Sequence, residues 1–343
     1  MHDVIISLGC NMKALILAPF YPSVLERLRQ SIEVIYESWM DTRKLLSSQE
    51  LIDRIQGQDI QIVVIEADFV AREVFERATK LKLLGVCRAD LTFIDVEAAT
   101  EYGVLVINTP ARNAIAVAEL TVGLMLALVR NIPAVHDMIR SGGWVDPTAA
   151  YFLMRGTELT GKTIGIVGFG AIGQRVAKMV RVFETSILVY DPYVDPDEIK
   201  RVGAEGVELD ELMAQSDFVT LHCPAGPDAM GLINSHRIAL MKPTAYLVNT
   251  ASTFIIDGEA IVQALRERRI AGAAFDVYDT WPVRPDSPLL ELDNVVLTPH
   301  IGGATDETVV RHSRMIADDI ERFLRGERPK NLLNPQVGDK DVR

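Results

Sequence analysis

Residues 163–173 read Thr-Ile-Gly-Ile-Val-Gly-Phe-Gly-Ala-Ile-Gly, and few stretches leave a chain so little choice of fold. Residues 163–167 are short, apolar and β-branched, as in a strand buried on both faces. Gly168, Gly170 and Gly173 follow at G-x-G-x-x-G spacing, and residues 171–183 then carry a helical period. In such a turn the first glycine permits the tight reversal, the second admits a pyrophosphate against the backbone, and the third lets the helix pack on the strand. The phosphates would sit on the free N–H groups of the helix start, at Ala171 and Ile172. Residues 186–190 read as a second strand, and Asp191 stands at its end, eighteen positions beyond Gly173. A carboxylate there accepts hydrogen bonds from the adenosine ribose hydroxyls and repels a 2′-phosphate, so the expected cofactor is NAD(H). The alternative is a glycine turn in some other α/β domain; the ordered succession of strand, glycines, helix, strand and acid weighs against it.

The 343 residues suffice for two domains of ordinary size. A net charge of −12 argues against a nucleic-acid or anionic-membrane partner and points to a small-molecule substrate. Cys10, Cys87 and Cys223 share no metal-ligand spacing, so no metal is expected, and they suit a reducing, cytoplasmic compartment. Cys87 and Cys223 read as small packing residues. Residues 1–11 lack the basic start and long apolar core of a signal peptide and read as an extension or an upstream start. The most apolar helix, residues 114–129, contains Glu119 and is too short to span a bilayer.

Strands are expected at 13–17, 33–36, 61–65, 81–86 and 104–107, alternating with helices at 22–30, 48–56, 72–79 and 96–102. Alternation of this kind implies a parallel sheet covered on both faces. The helix at 113–131 is apolar around most of its circumference, which points to burial in a subunit interface or, alternatively, in one large core. Beyond the glycine turn, strands at 218–222, 245–249, 271–275 and 295–298 alternate with helices at 211–215, 235–241 and 258–268. An amphipathic helix at 304–324 returns to the first domain, and the last ten residues read as a tail. The expected domains are therefore 12–112 with 304–335, and 113–303.

These features together resemble the D-isomer-specific 2-hydroxyacid dehydrogenase family, phosphoglycerate-dehydrogenase-like members in particular, from Met12 to Pro335. The segments that carry the likeness are 95–103, Asn108-Thr-Pro-Ala-Arg-Asn113, 158–173, Tyr190-Asp-Pro192, Met241-Lys-Pro243, Val248-Asn-Thr250, 271–276 and Thr298-Pro-His300. The resemblance implies two doubly wound parallel-sheet domains, a Rossmann cofactor domain inserted into a flavodoxin-like substrate domain. It also implies a homodimer joined through the cofactor domain, an active site in the interdomain cleft, and hydride exchange between nicotinamide and a 2-hydroxy or 2-oxo acid. His222, Pro224, Thr250, Ala251, Asp276, His300 and Gly302 would line the cofactor, Asp276 accepting from the nicotinamide amide and His222 contributing through its backbone.

The family's chemistry needs a cation for the substrate carboxylate, an acid/base histidine and a carboxylate that orients it. His300 matches the histidine. Ser252 stands where the family has arginine, and Trp281 where it has glutamate. Serine offers no cationic fork, and tryptophan only one N–H donor. A third departure lies at 85–92, where many relatives have a glycine-rich turn and this chain has Arg88 and Asp90. Arg88, Ser252 and Trp281 are thus the candidate substrate-binding residues. Arg112, Asp279 and Arg284 are loop charges that either reach in or are solvated, and His2, His136, His236 and His312 read as solvated or capping. Two functions follow: an oxidoreductase whose pocket is rebuilt around His300, or a catalytically impaired NAD(H)-binding sensor.

Overall fold

A computed structural model describes residues 12–337; the expectations for residues 1–11 and 338–343, with Cys10 and His2, lie outside that range. The chain divides into two compact units, one formed by residues up to 112 with those from 305 onward, the other by residues 113–304.

In the first unit, β1 (Lys13–Ile16), β2 (Glu33–Tyr36), β3 (Ile62–Ile65), β4 (Leu83–Val86) and β5 (Leu105–Asn108) form a sheet in the order β2-β1-β3-β4-β5. Every pairing is parallel, and the order is that of flavodoxin-like folds. Period-two alternation splits the strands between two cores. Leu15, Val63, Leu84 and Val106 face one, and Ala14, Ile62, Leu83 and Leu105 the other. The helix Asp306–Leu324 covers the second face with Ile316, Ala317 and Ile320. Its first turn is capped by Thr305, whose hydroxyl accepts from Thr308 N–H.

In the second unit, β6 (Thr163–Val167), β7 (Ser186–Tyr190), β8 (Glu205–Gly206), β9 (Phe218–Leu221), β10 (Tyr246–Asn249), β11 (Gly272–Phe275) and β12 (Val295–Leu297) form a sheet in the order β12-β11-β10-β9-β6-β7-β8. All pairings are again parallel. The first strand of the unit, β6, lies between β7 and β9, so the winding reverses there, and a ligand crevice opens at the carboxyl ends of strands flanking such a reversal.

Several expectations need correction. The helix Ala114–Val129 buries nine of its sixteen residues within its own unit, packed on the helix Ala171–Val180 and on β10, β11 and β12. That core meets part of its apolar circumference, and Ile115, Leu120, Val122, Leu126 and Ala127 remain half-exposed. The helix expected at 171–183 ends at Val180 and tightens into a 3-10 turn at Arg181–Phe183, where Thr185 Oγ1 donates to the Val180 carbonyl. Residues 334–337 are no tail. Asn334 is buried, its amide oxygen accepting from Val106 N–H at 2.9 Å and its amide nitrogen donating to Val104 O at 2.8 Å. Short helices at Trp39–Thr42, Ile132–Arg140, Ala149–Leu153 and Pro196–Arg201, and the two-residue β8, went unforeseen. Each of the four helices buries one residue or none. No single helix among the described residues is long and apolar enough to cross a membrane.

Candidate active site and cofactor cradle

Three glycines shape the crevice at β6. Gly168 has φ +92°, and a Cβ there would lie 2.5 Å from Cys223 N. A Cβ on Gly173 would lie 2.2 Å from the Gly168 carbonyl oxygen, whereas Gly170 faces open space. The turn therefore admits no side chain at its two ends and leaves its middle clear, with Ala171 and Ile172 opening the helix behind it. A pyrophosphate fits such a cradle, since it needs bare backbone and unpaired helix-start N–H groups.

Beside the turn lies a cavity of about 380 Å³ lined by Gly168, Asp191, Tyr193, Cys223, Pro224 and Asp228, among others. Asp191 is braced there: Oδ2 accepts from Phe169 N–H at 2.7 Å and Oδ1 from Tyr193 N–H at 2.9 Å. Each oxygen keeps a second lone pair for a ribose hydroxyl. Tyr193 donates its phenol to Asp228 Oδ2 at 2.9 Å, so two carboxylates face this cavity. Sequence reasoning missed Asp228, which sits in a Gly/Pro loop without any distinguishing pattern.

His222 follows β9. Its ring is buried, with Nε2 3.0 Å from Thr220 Oγ1 and Nδ1 buried without a partner, and burial holds its pKa down to about 3. Neutral at physiological pH, it offers one orphaned ring nitrogen and a backbone that packs against Gly168. Cys223, next to it, has its thiol pushed up by burial.

The remaining candidates in this unit follow β10, β11 and β12. Asn249 ends β10 and ties the next loop through Ala251 N–H at 3.0 Å and the Ser252 carbonyl at 2.8 Å. Thr250 Oγ1 lies 3.1 Å from Thr121 Oγ1. The Ser252 hydroxyl caps a 3-10 turn, accepting from Phe254 N–H at 3.3 Å. Asp276 ends β11, 2% exposed, and three donors converge on it: Thr298 Oγ1 at 2.6 Å, Ile301 N–H at 2.9 Å and Gly302 N–H at 2.7 Å. A Cβ on Gly302 would stand 2.9 Å from Asp276 Oδ2, so a side chain there would press on the clamping carboxylate. Asp276 thereby clamps both sides of His300, whose own backbone has φ +56° and donates to Thr298 O at 3.0 Å. Oδ2 retains a lone pair for an amide donor. The His300 side chain is exposed, and its ring meets the Trp281 ring edge to face, with centroids 4.0 Å apart and planes at 74°.

A larger cavity of about 910 Å³, lined by Asn249, Phe254, Arg266, Phe275, Tyr278 and Arg284 among others, shares no lining residue with the first. It contains neither His300 nor the glycine turn, so size alone does not make it the reacting site. Asp279 and Arg284 are exposed, Arg284 within 3.8 Å of Asp286.

In the first unit, Arg88 follows β4 half-buried, and its carbonyl accepts from Thr109 N–H at 3.2 Å. Asp90 is exposed and accepts from Thr92 N–H at 3.0 Å. Arg112 and His312 correct the sequence reading. Arg112 pairs with Glu66 at 2.7 Å, both side chains largely buried, and its other nitrogen lies 2.8 Å from His312 Nδ1. His312 is fully buried, neither solvated nor capping, with Nε2 2.7 Å from Pro19 O, and burial holds its pKa near 4. The helix's polar-looking position is internal because an arginine and a carbonyl meet both ring nitrogens. Among the described residues, no group of three or more His, Cys, Asp or Glu side chains could hold a metal ion.

A doubly wound sheet with a glycine cradle and a braced acid at its reversal defines a dinucleotide-binding unit. Residues 122–302 match the family model described as D-isomer specific 2-hydroxyacid dehydrogenase, NAD binding domain. The chain is 41% identical to a glyoxylate reductase of Thermofilum pendens, over 89% of this chain and 88% of that protein. It is 39% identical to a D-3-phosphoglycerate dehydrogenase of Methanocaldococcus jannaschii, over 94% of this chain but only 59% of the relative's length. The crystal structure of the TT0316 protein from Thermus thermophilus matches with a TM-score of 0.82 at 34% identity, covering 94% of this chain and all of that one (100%). The chain belongs to the D-isomer specific 2-hydroxyacid dehydrogenase family, and its cofactor is a nicotinamide dinucleotide.

Proposed function

We propose that this protein is an NAD-dependent oxidoreductase exchanging hydride between nicotinamide and a small 2-hydroxy or 2-oxo acid or a related substrate. The observation that carries the reading is the clamped loop of His300, an exposed imidazole at the carboxyl edge of the sheet that also bears the glycine cradle. Gly168, Gly170 and Gly173, with Ala171 and Ile172, would hold the pyrophosphate and Asp191 the ribose. His222, Pro224, Thr250, Ala251, Asp276 and Gly302 would line the remainder. Bound nicotinamide supplies or accepts the hydride. His300 gives a proton to the substrate oxygen on reduction and takes it on oxidation. With Ser252 spent on a turn, the charge that meets the substrate carboxylate comes from another residue, and Arg88 is the candidate. Asp191 and Asp228 together disfavour a 2′-phosphate, which supports NADH over NADPH.

The capping role of Ser252 also supports a second reading, an NAD(H)-binding sensor that has lost turnover. We assign a cytoplasmic location on cysteine usage. A homodimer is supported by the half-exposed apolar face of the helix Ala114–Val129 and by exposed Trp144, Tyr151, Phe152 and Leu153 just beyond it.

A panel of 2-oxo acids with NADH or NADPH, run on wild type and His300→Gln, separates the readings. The enzyme reading predicts at least one substrate whose NADH-dependent turnover falls roughly a hundredfold or more in His300→Gln, with NADH affinity retained. NADH binding without turnover of any 2-oxo acid would favour the sensor.

A further inference from the structure

The backbone of His300 is secured by Asp276, but a secured backbone does not by itself fix the imidazole, which turns about two bonds. A proton donor is efficient only when its ring is held toward the reacting atom, because a misplacement of about 1 Å costs roughly a hundredfold. Trp281 meets this ring edge to face at 4.0 Å between centroids and 74° between planes, a contact tighter than the roughly 4.5–7 Å of most aromatic pairs. The indole reaches it from the loop that follows β11, and 59% of Trp281 remains exposed. A large apolar ring so far exposed is not there to fill a core. We propose that Trp281 is a positioning residue, its indole holding the His300 imidazole in the orientation used for proton transfer. The proposal rests on the proton-transfer reading of His300 given above. An uncharged aromatic brace differs in kind from a carboxylate brace. It restricts the ring by packing and by the ring quadrupole rather than by a full negative charge.

The contact can be read without a substrate. In the proton spectrum, the His300 Cε1–H resonance, assigned by its loss in His300→Gln, carries a ring-current shift from the indole. Trp281→Leu should remove that shift and Trp281→Phe should keep part of it. In turnover, Trp281→Leu should lower kcat roughly a hundredfold with KM and NADH affinity little changed. Trp281→Phe should recover most of the loss, and Trp281→Leu should cost nothing further in a His300→Gln background. Trp281→Glu, which supplies a negative neighbour, should restore turnover and extend reduction to higher pH, because a carboxylate favours the protonated imidazole. An unmoved Cε1–H resonance in Trp281→Leu overturns the proposal. So does an unchanged kcat, or an equal additional loss in the His300→Gln background, which would mark a merely structural tryptophan. Turnover undiminished by His300→Gln overturns the proton-transfer reading itself, and is distinguishable because it needs no change at Trp281.

Discussion

The two halves of the second unit's crevice are built from different materials. At β6 and β7 the site is made largely of backbone: a glycine turn whose two ends admit no side chain, helix-start N–H groups and one acid braced by two amides. At β10, β11 and β12 it is made of side chains: a capping serine, a triply bonded aspartate, and an imidazole against an indole. A backbone site tolerates almost no change of residue type, whereas a side-chain site can change its chemistry while every strand stays in place.

If the contrast is real, the first half should fail abruptly when a side chain is forced into it. Gly173→Val would drive a branched side chain toward the Gly168 carbonyl, 2.2 Å from the position of Cβ. Calorimetric titration should show NADH affinity lowered at least about a hundredfold, about 2.8 kcal/mol, and melting should show destabilisation on the order of 3 kcal/mol. Normal NADH affinity in that variant would break the comparison at its stronger side.

The comparison extends to a buried histidine in each unit, and acid should expose both. His312 titrates near 4 and His222 near 3 when folded, each lowered by burial, against about 6.5 unfolded. Between those values the unfolded chain takes up a proton that the folded chain refuses. Stability is therefore full above about pH 6.5 and falls as pH drops toward 4 for His312 and toward 3 for His222, by on the order of 3 kcal/mol for His312. Melts from pH 7 to pH 4 should steepen accordingly. His312→Gln should flatten part of that slope, since glutamine can still donate to Pro19 O without titrating. A slope unaltered by the substitution would refute this account of the Glu66–Arg112–His312 cluster.

The same division explains what could be read from residues alone. The sheets, the glycine cradle, Asp191 and the carboxyl-edge position of His300 all follow from period, residue size or spacing, and each was legible. The clamp on the His300 loop was not, because Thr298, Ile301 and Gly302 converge on Asp276 only once β11 and β12 are paired. Nor was His312 legible as internal, since its partners Arg112 and Pro19 lie 200 and 293 residues away in sequence. Trp281 was visible as a departure. Its contact with His300 needs the loop geometry that sequence does not encode locally.

The central claim is that the cradle is complete while the charge-bearing side has been rebuilt at Ser252 and Trp281. Its most direct test measures two quantities on wild type and on the double variant Ser252→Arg, Trp281→Glu: the NADH dissociation constant, and kcat/KM for glyoxylate. The account predicts an NADH constant unchanged within about threefold, below about 1 kcal/mol, and a rise in kcat/KM of roughly two to four powers of ten, about 3–5 kcal/mol of transition-state stabilisation. Wild type that already reduces glyoxylate as fast as the double variant, or an NADH constant that moves with the pair, would contradict it.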